Sequence, residues 1–180
     1  MRNLIDARQG PVLVAAALVH VLPPARRFVL RGDDAARAAA ERALGIPVPA
    51  LACRAGDNGM RAALWLGPDE WLLIAAADDT AAERALSPAL ESLAHSLVDV
   101  SHRQIGLAVS GPQAATLLSA GCPLDLELNA FPVGMCTRTM LSKAEVVLWR
   151  TAAEQFRLEV WRSFAAYVTE YLATAARDIN

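Results

Sequence analysis

Apolar residues occupy every second position over residues 105–109, just past the middle of the chain. This alternation is typical of a half-buried strand. Gly111-Pro112 follows at once, and the apolar positions after it recur at helical spacing as far as Leu118. Since glycine and proline mark turns and Ser110 or Gly111 can cap a helix, the stretch predicts a strand, a turn and a helix.

The same order of elements occurs twice along the chain. Residues 28–30 form an apolar stretch that reaches Gly32, and an alanine-rich helix capped by Asp33 follows it. A hairpin followed by a helix comes later in each half, with apolar strands at 64–66 and 71–74 and again at 148–150 and 156–158. The pattern predicts an α+β fold of two pseudo-repeated strand-helix-strand-strand-helix halves, about 26–98 and 99–180, with mostly antiparallel sheets packed with helices.

An apolar run over residues 11–22 precedes the first of these strands. It is too short to span a bilayer, and the flanking Asp6 and Pro23-Pro24 do not fit a secretory signal. We interpret the run as an extended segment that packs on the domain or on another subunit, and we assign residues 1–25 to an N-terminal arm. The chain has 180 residues, 54% of them hydrophobic, so we assign 26–180 to a single α+β domain with a sizeable core.

Polar residues near helix starts give further expectations. Thr80 and Glu83 fit a capping box, and Pro88 predicts a break or kink in the helix that follows. Ser163 is expected to cap the final helix. The stripe of that helix repeats at helical spacing and comprises Phe164, Tyr167, Val168, Tyr171, Leu172 and Ala175.

Composition narrows the function. The formal net charge is −2 with dispersed lysines and arginines, so the chain lacks the basic stripe typical of nucleic-acid binding. Cys53, Cys122 and Cys136 have no Cys-x-x-Cys spacing, which favours free thiols in a reducing cytoplasm. The three histidines are isolated, and no glycine-rich nucleotide loop is present. We therefore assign no metal-ligating and no cofactor-binding residue.

Asp99, Ser101 and His102 are the residue types of a nucleophilic triad, but their spacing argues against one. On an extended segment Asp99 and Ser101 point to one face and His102 to the other. The chain also has no Gly-x-Ser-x-Gly elbow. We expect these polar groups to tie the junction of the two halves together by hydrogen bonds, and we assign no catalytic residue.

Four tryptophans can serve either a core or a contact surface. Trp65 and Trp149 lie in the most apolar strands and are expected in the core. Trp161 falls on the polar face of its strand, beside Arg162, and tryptophan and arginine are both enriched at protein–protein hot spots, so core and interface stay open for it. The candidate interface or structural residues are Trp71, Asp99, Arg103, Trp161 and Arg162.

A set of motifs covers nearly the whole chain in a fixed order. They lie at residues 66–73, 99–103, 121–126, 131–134, 138–139 and 158–165, and include Asp99-Val100-Ser101-His102-Arg103 and Leu158-Glu159-Val160-Trp161-Arg162-Ser163. Together they resemble the gamma subunit family of heterotetrameric sarcosine oxidase. Their joint order is specific, although each motif alone is weak.

The second half also resembles, more remotely, the folate-binding domain of the glycine-cleavage T-protein. That domain has an Asp-x-Ser strand, a Gly-x-x-Ala helix and a paired hairpin in the same order, which implies a T-protein-like fold. Where that family carries a Gly-x-x-x-Asp-Asp stretch, this chain has Ser142-Lys143-Ala144-Glu145-Val146. Without the acidic pair, and without the family's C-terminal barrel domain, we expect no independent aminomethyl transfer.

The first resemblance implies a non-catalytic subunit that helps to assemble a heterotetramer with alpha, beta and delta subunits. It implies that FAD, FMN, NAD and tetrahydrofolate belong to the partner subunits. The complex would oxidise sarcosine to glycine, release hydrogen peroxide and pass the one-carbon unit to tetrahydrofolate. Two alternatives stay open: a folate-binding module with a pocket edged by Asp99 or Arg103, and the equivalent subunit of a related N-methyl amino acid dehydrogenase, such as one acting on N-methylglutamate.

Overall fold

The computed structural model describes residues 12–14 and 17–179. Within them the chain forms, in order, β1 (Val12–Val14), β2 (Ala17–Val21), β3 (Ala25–Gly32), α1 (Asp34–Leu44), β4 (Ala55–Asp57), β5 (Arg61–Gly67), β6 (Glu70–Ala76), α2 (Thr80–Leu90), β7 (His95–Asp99), β8 (Gln104–Ser110), α3 (Ala114–Ser119), β9 (Cys136–Leu141), β10 (Ala144–Ala152), β11 (Gln155–Trp161), a 3₁₀-helix (Arg162–Phe164), α4 (Ala165–Ala175) and a second 3₁₀-helix (Ala176–Asp178). The predicted α+β class is confirmed.

These elements group into two compact units. The first unit contains Pro24–Gln104 together with Gly134–Thr137. The second unit contains Ile105–Val133, the chain from Arg138 onward and the described residues up to Pro23. Each unit has one sheet, and the strand pairs whose register is resolved are all antiparallel. The assignment of 1–25 to an arm and 26–180 to a single domain stays a prediction.

The two sheets have the same strand order when read from one edge. In the first unit the order is β4-β5-β6-β3-β7, and in the second it is β9-β10-β11-β8-β2, with β1 added outside β2. Each of the first four strands in one sheet thus has a counterpart at the same position and in the same chain order in the other. This agreement supports the prediction of two pseudo-repeated halves.

The paired hairpins share a local irregularity. In the first, the register shifts between Trp65 and Gly67, one pair before the turn. In the second, it shifts between Arg150 and Ala152, again one pair before the turn. A bulge at the same position increases the local twist of both hairpins in the same way.

The apolar run near the N-terminus contributes an inner strand of the second sheet. Ala17–Val21 pairs antiparallel with β8, with Val19 opposite Val109. Val19 is only 3% exposed. The predicted packing of this extended segment on the domain is therefore confirmed for β2, while residues 1–11, 15 and 16 of the predicted arm lie outside the described residues.

Of the three expectations for the first unit's helices, one is confirmed, one is wrong and one is contradicted only in part. Asp33 does cap α1, since its carboxylate accepts a hydrogen bond from the Ala36 amide at 3.0 Å. The cap of α2, however, is Asp79, which accepts from the Ala82 amide at 3.1 Å, so Thr80 is already inside the helix. The predicted break at Pro88 does not occur, because α2 continues through it to Leu90 although the proline removes one amide donor from the helix. The kink at Pro88 stays a prediction.

The second unit also departs from the predicted caps. Ser163 lies inside a 3₁₀-helix, and α4 begins after Phe164 without a side-chain cap. Likewise α3 begins at Ala114, after Gln113, and neither Ser110 nor Gly111 caps it. In both cases a tight turn precedes the helix and leaves its first amides without a side-chain acceptor.

Small residues bring the first unit's helices close to its sheet. The buried face of α1 is formed by Ala36, Ala39, Ala40 and Leu44, and α1 packs against α2. Both helices belong to one apolar cluster with β3 and β6. In the second unit the loop after α3 is held by Phe131, which is 1% exposed with its ring centroid 6.4 Å from that of Phe156.

Candidate functional site

Trp71 is a core residue of the first unit. Its side chain is 2% exposed, and its indole Nε1 donates a hydrogen bond to the Pro49 carbonyl at 2.7 Å. Directly across the hairpin lies Trp65, which is partly buried and packs against the same apolar cluster. The structure thus gives Trp71 a structural role, fastening the loop after α1 to the sheet.

Asp99 and Ser101 form a hydrogen-bonded turn at the end of β7. The Asp99 Oδ1 accepts from the Ser101 amide at 2.7 Å, and the Ser101 Oγ accepts from the Arg27 amide at 2.9 Å. The Val100 amide donates to the Arg27 carbonyl at 2.8 Å. These bonds tie the turn to β3.

The charge state of Asp99 follows from the same turn. Partial burial raises the pKa of its carboxyl, but hydrogen bonds from the hydroxyl and amide of Ser101 and the nearby charges of His102 and Arg26 outweigh that effect. The net result is a pKa below the ordinary value, so Asp99 is an anion at neutral pH. Arg103, the next candidate, lies exposed in the same turn.

Aromatic side chains recur every three or four residues from the end of β11 into α4, and all but the last of them, Tyr171, are exposed. We call Trp161, Phe164, Tyr167 and Tyr171 the aromatic strip. Residues three apart eclipse in a 3₁₀-helix, and residues three or four apart share one face of an α-helix. Trp161 is 43% exposed and Phe164 40%. Arg162, beside Trp161, is also exposed.

The polar end of the aromatic strip is held in place by the second unit itself. The Tyr167 and Tyr171 rings stack with centroids 6.3 Å apart. The Tyr171 hydroxyl donates to the Ala120 carbonyl at 2.7 Å, and the Tyr167 hydroxyl lies 2.8 Å from the Ser142 Oγ. The Tyr167 and Tyr171 side chains are therefore fixed on the second unit.

Sequence reasoning placed Phe164 and Tyr167 in one stripe with the core residues of α4. The structure separates two faces: Ala165, Val168 and Leu172 are buried, whereas Phe164 and Tyr167 are exposed. Residue type distinguishes the two faces in the sequence, because the aromatic residues and the aliphatic residues occupy two separate rows along the helix. Trp149 is buried as predicted, at 7% exposure.

A buried guanidinium in the second unit was missed altogether. Arg150 is 2% exposed, its Nη2 donates to the Leu126 carbonyl at 2.6 Å, and its Cζ lies 4.4 Å from the centroid of the Phe156 ring. Its Nε and Nη1 have no hydrogen-bond partner among the described residues. Burial lowers the pKa of Arg150, against the opposing charge of Glu127.

The segment that differs from the T-protein pattern forms the turn between β9 and β10. Ser142 has φ 53°, and its amide donates to the Gly121 carbonyl at 2.8 Å. Ala144 is fully buried and Glu145 is exposed. One carboxylate alone thus stands on this segment, and it points to solvent.

Metal-ligating clusters and membrane-spanning helices are both absent from the described part of the chain. Over 12–14 and 17–179, no group of three or more His, Cys, Asp or Glu side chains could hold a metal ion. Over the same ranges, the helices are all too short or too polar to cross a bilayer.

Comparison with known proteins gives a consistent likeness. A family model described as "Sarcosine oxidase, gamma subunit family" matches residues 31–178. A sarcosine oxidase subunit gamma from Corynebacterium sp. strain U-96 is 35% identical over 144 residues, covering 79% of this chain and 70% of that protein.

Solved structures extend the likeness to the fold. A chain of the heterotetrameric sarcosine oxidase from Corynebacterium sp. U-96, in complex with pyrrole 2-carboxylate, matches with a TM-score of 0.88 and 30% identity, covering 93% of this chain and 88% of that one. The glycine cleavage system aminomethyltransferase T from Bartonella henselae matches with a TM-score of 0.65 and 16% identity, covering 93% of this chain and 50% of that one. The second likeness concerns the fold alone and confirms the T-protein-like architecture.

Proposed function

This chain belongs to the sarcosine oxidase gamma subunit family, and from that premise we propose that it is a non-catalytic subunit that assembles a heterotetrameric oxidase. Its partners are the alpha, beta and delta subunits, which carry FAD, FMN, NAD and tetrahydrofolate. The complex oxidises sarcosine to glycine and transfers the one-carbon unit to tetrahydrofolate. The observation that carries the proposal is the likeness of nearly the whole chain to one chain of a heterotetrameric sarcosine oxidase.

The polar candidates support a structural part for this chain. Asp99 and Ser101 accept hydrogen bonds that hold the turn after β7. The indole N–H of Trp71 donates to the Pro49 carbonyl. A catalytic group must instead have an atom free to reach a substrate. We therefore place the chemistry on the partner subunits.

The aromatic strip supplies the surface for a partner subunit. It combines exposed Trp161, Phe164 and Tyr167 with Arg162 at one end, the residue types that dominate binding energy at protein interfaces. Burial of the Trp161 and Phe164 side chains against a partner contributes about 25 cal/mol to the binding free energy for each Å² of apolar surface removed from water. We assign Trp161 and Arg162 to this interface, and Trp71 to the core.

The free thiols bear on the compartment. Cys53, Cys122 and Cys136 are all reduced, two of them buried. Unpaired cysteines are typical of a reducing environment, and we place the complex in the cytoplasm.

The test is co-expression of the full chain with candidate flavin-bearing subunits, followed by native mass and visible absorbance. We expect a yellow heteromeric complex that contains this chain, and a colourless protein when the chain is made alone. Recovery of the chain by itself in every co-expression would contradict the proposal. Activity of the recovered complex on sarcosine and on N-methylglutamate then separates an oxidase of the first from a related dehydrogenase of the second.

A single substitution tests the aromatic strip. We expect Trp161→Ala to weaken assembly at least about tenfold, because hot-spot tryptophans contribute about 2 kcal/mol or more when truncated. The matched control is Leu51→Ala, which removes a side chain that is 75% exposed in the first unit and should leave assembly unchanged. Circular dichroism of both variants reports the fold, and an unfolded Trp161→Ala variant would assign Trp161 to the core instead.

Calorimetry addresses the remaining alternative. A folate-binding module predicts saturable binding of tetrahydrofolate to the isolated chain. We expect no such heat, since Ser142 is engaged with Tyr167 and Gly121 and the segment carries one exposed carboxylate in place of an acidic pair.

A further inference from the structure

Two of the three cysteines pair through their backbones in the first unit. Cys53 lies in the loop between α1 and β4, and Cys136 is the first residue of β9. The Ala55 amide donates to the Gly134 carbonyl at 2.8 Å, and the Cys136 amide donates to the Cys53 carbonyl at 3.1 Å. Between these bonds Arg54 and Met135 form an antiparallel bridge. Cys53 and Cys136 are therefore opposite one another across a short antiparallel ladder.

This placement matches what a disulfide requires. Residues of a hydrogen-bonded pair in an antiparallel ladder have Cα atoms about 5.5 Å apart. Disulfides join cysteines whose Cα atoms are about 4.4–6.8 Å apart. Burial raises the pKa of the Cys136 thiol to about 12, and the sulfur of Cys53 is near enough to add to that rise.

The two thiols differ in access. Cys136 is fully buried, and its Sγ–H donates to the Arg54 carbonyl at 3.2 Å. Cys53 is only partly buried, and its φ of 57° turns the chain at that residue. An oxidant from solvent thus reaches Cys53 before it reaches Cys136.

We propose that Cys53 and Cys136 form a peroxide-sensitive dithiol that closes into an intramolecular disulfide. The Cys53 thiolate attacks hydrogen peroxide, which breaks the O–O bond and gives a sulfenic acid and hydroxide. The sulfur of Cys136 then attacks the sulfenic sulfur, forming the S–S bond and releasing water. In sum two thiols and one peroxide give one disulfide and two waters: the sulfurs lose two electrons and the peroxide gains them.

The proposed function supplies the oxidant, and only this part of the inference rests on it. An oxidase that passes an electron pair from an amine to dioxygen releases hydrogen peroxide, so a subunit of such a complex is close to the source. The disulfide would join the loop before β4 to the start of β9, two segments far apart in the sequence. Thioredoxin- or glutathione-type thiols would reopen it.

The experiment treats the full chain with hydrogen peroxide, blocks the remaining thiols with iodoacetamide in denaturant, and measures intact mass and cross-linked peptides. We expect two of the three thiols to become unavailable, a mass lower by two hydrogens before alkylation, and one peptide pair joining Cys53 to Cys136 that dithiothreitol separates. Cys122→Ser is the matched control, since Cys122 lies in the second unit, and it should still form the cross-link.

Cys53→Ser and Cys136→Ala should each abolish the cross-link. Cys136→Ala should also leave Cys53 to accumulate as a sulfenic acid that dimedone traps. A wild-type chain that gives sulfinic acid at Cys53, an intermolecular dimer, or equal loss of all three thiols would overturn the proposal. Because the measurement needs no partner subunit, its failure leaves the assembly proposal untouched, and failure of assembly leaves the thiol result untouched.

Discussion

The two hairpins carry different residue pairs at the last position before the bulge. Trp71 of the first hairpin faces Trp65, and Phe156 of the second faces Arg150. Both aromatic rings are buried, but the second lies under a guanidinium that bonds the Leu126 carbonyl. The apolar pattern predicted the rings. It did not predict the buried arginine, because the carbonyl and ring that hold it come from a distant loop and the neighbouring strand.

Replacing Trp71 tests how much the hydrogen bond of its indole N–H contributes to the free energy of unfolding. Trp71→Phe removes the donor to Pro49 and leaves a small void, and we expect a loss of about 2–3 kcal/mol in the free energy of unfolding. The same change at exposed Trp161 should cost less than about 0.5 kcal/mol. Urea denaturation of the two variants provides the comparison, and equal losses would show that the Pro49 bond contributes little.

Asp79 makes the free energy of unfolding decrease at low pH. Its carboxylate takes hydrogen bonds from Arg61 at 2.6 and 3.0 Å, and these lower its pKa; partial burial opposes them and the Ala82 amide adds to them. A lowered pKa in the folded state gives stability that is complete above the unfolded value and is lost as the pH falls through the folded value. The wild-type chain should thus lose stability as the pH drops below about 4.

Asp79→Asn keeps a residue that can cap α2 but removes the charge. We expect it to be less stable than the wild type at neutral pH, with the difference shrinking as the pH falls below about 4. Urea denaturation across that range measures it. In the Asp79→Asn background, Arg61→Gln should add no further pH dependence, and a wild-type and variant that lose stability in parallel would exclude Asp79 as the cause.

At the level of single elements, strands were easier to predict than helix ends. Short apolar runs placed the strands of both hairpins, because these strands are buried over nearly continuous stretches, as at 71–75 and 146–150. The start of α2 was displaced by one residue, since Asp79 and Thr80 are both good caps and the sequence does not show which of them accepts the Ala82 amide. Ser163 failed as a cap because a 3₁₀ turn takes up the residues before α4.

Two glycines of the first sheet offer a matched pair of substitutions. A Cβ on Gly56 of β4 would lie 2.2 Å from the Pro47 carbonyl oxygen, whereas a Cβ on Gly67 of β5 would meet its nearest atom, on Glu70, at 3.7 Å. Since the Pro47 contact is backbone, it must shift. We expect Gly56→Ala to cost about 2 kcal/mol or more and Gly67→Ala to cost less than about 0.5 kcal/mol by urea denaturation. Similar values for both would show that the loop at Pro47 yields easily.

At the scale of the whole molecule, the repeat breaks down at the fifth strand of each sheet, and the sequence does not predict this. In the first sheet β3 lies between β6 and β7, and β7 follows α2 in the chain. In the second sheet β8 lies between β11 and β2, and β2 precedes β3 in the chain. Apolar character predicted an extended segment at β2. The choice of β8 as its neighbour depends on long-range register, which local pattern does not encode.

A valine in each of these strands tests the difference. Val19 of β2 is 3% exposed and Val98 of β7 is 51% exposed. Val19→Asp puts an unpaired carboxylate into the core of the second unit, and we expect it to cost about 3 kcal/mol or more. Val98→Asp should stay within about 0.5 kcal/mol of the wild type by thermal or urea unfolding. A tolerant Val19 would mean that β2 leaves its sheet at little cost.

The position of β2 sets the order in which the molecule can be completed on the ribosome. Pro24–Gln104 emerges as one continuous stretch with every strand of its sheet except the pairing made by residues 134–137. The strand Ala17–Val21 is synthesised before that stretch, and it has no neighbour in its own sheet except β1 until Gln104–Ser110 has been made. During that interval its apolar side chains are without their final cover, which is the condition under which nascent chains recruit chaperones or aggregate. A permuted gene that encodes β2 after α4 would remove the wait, and its product should fold faster and form less aggregate during translation.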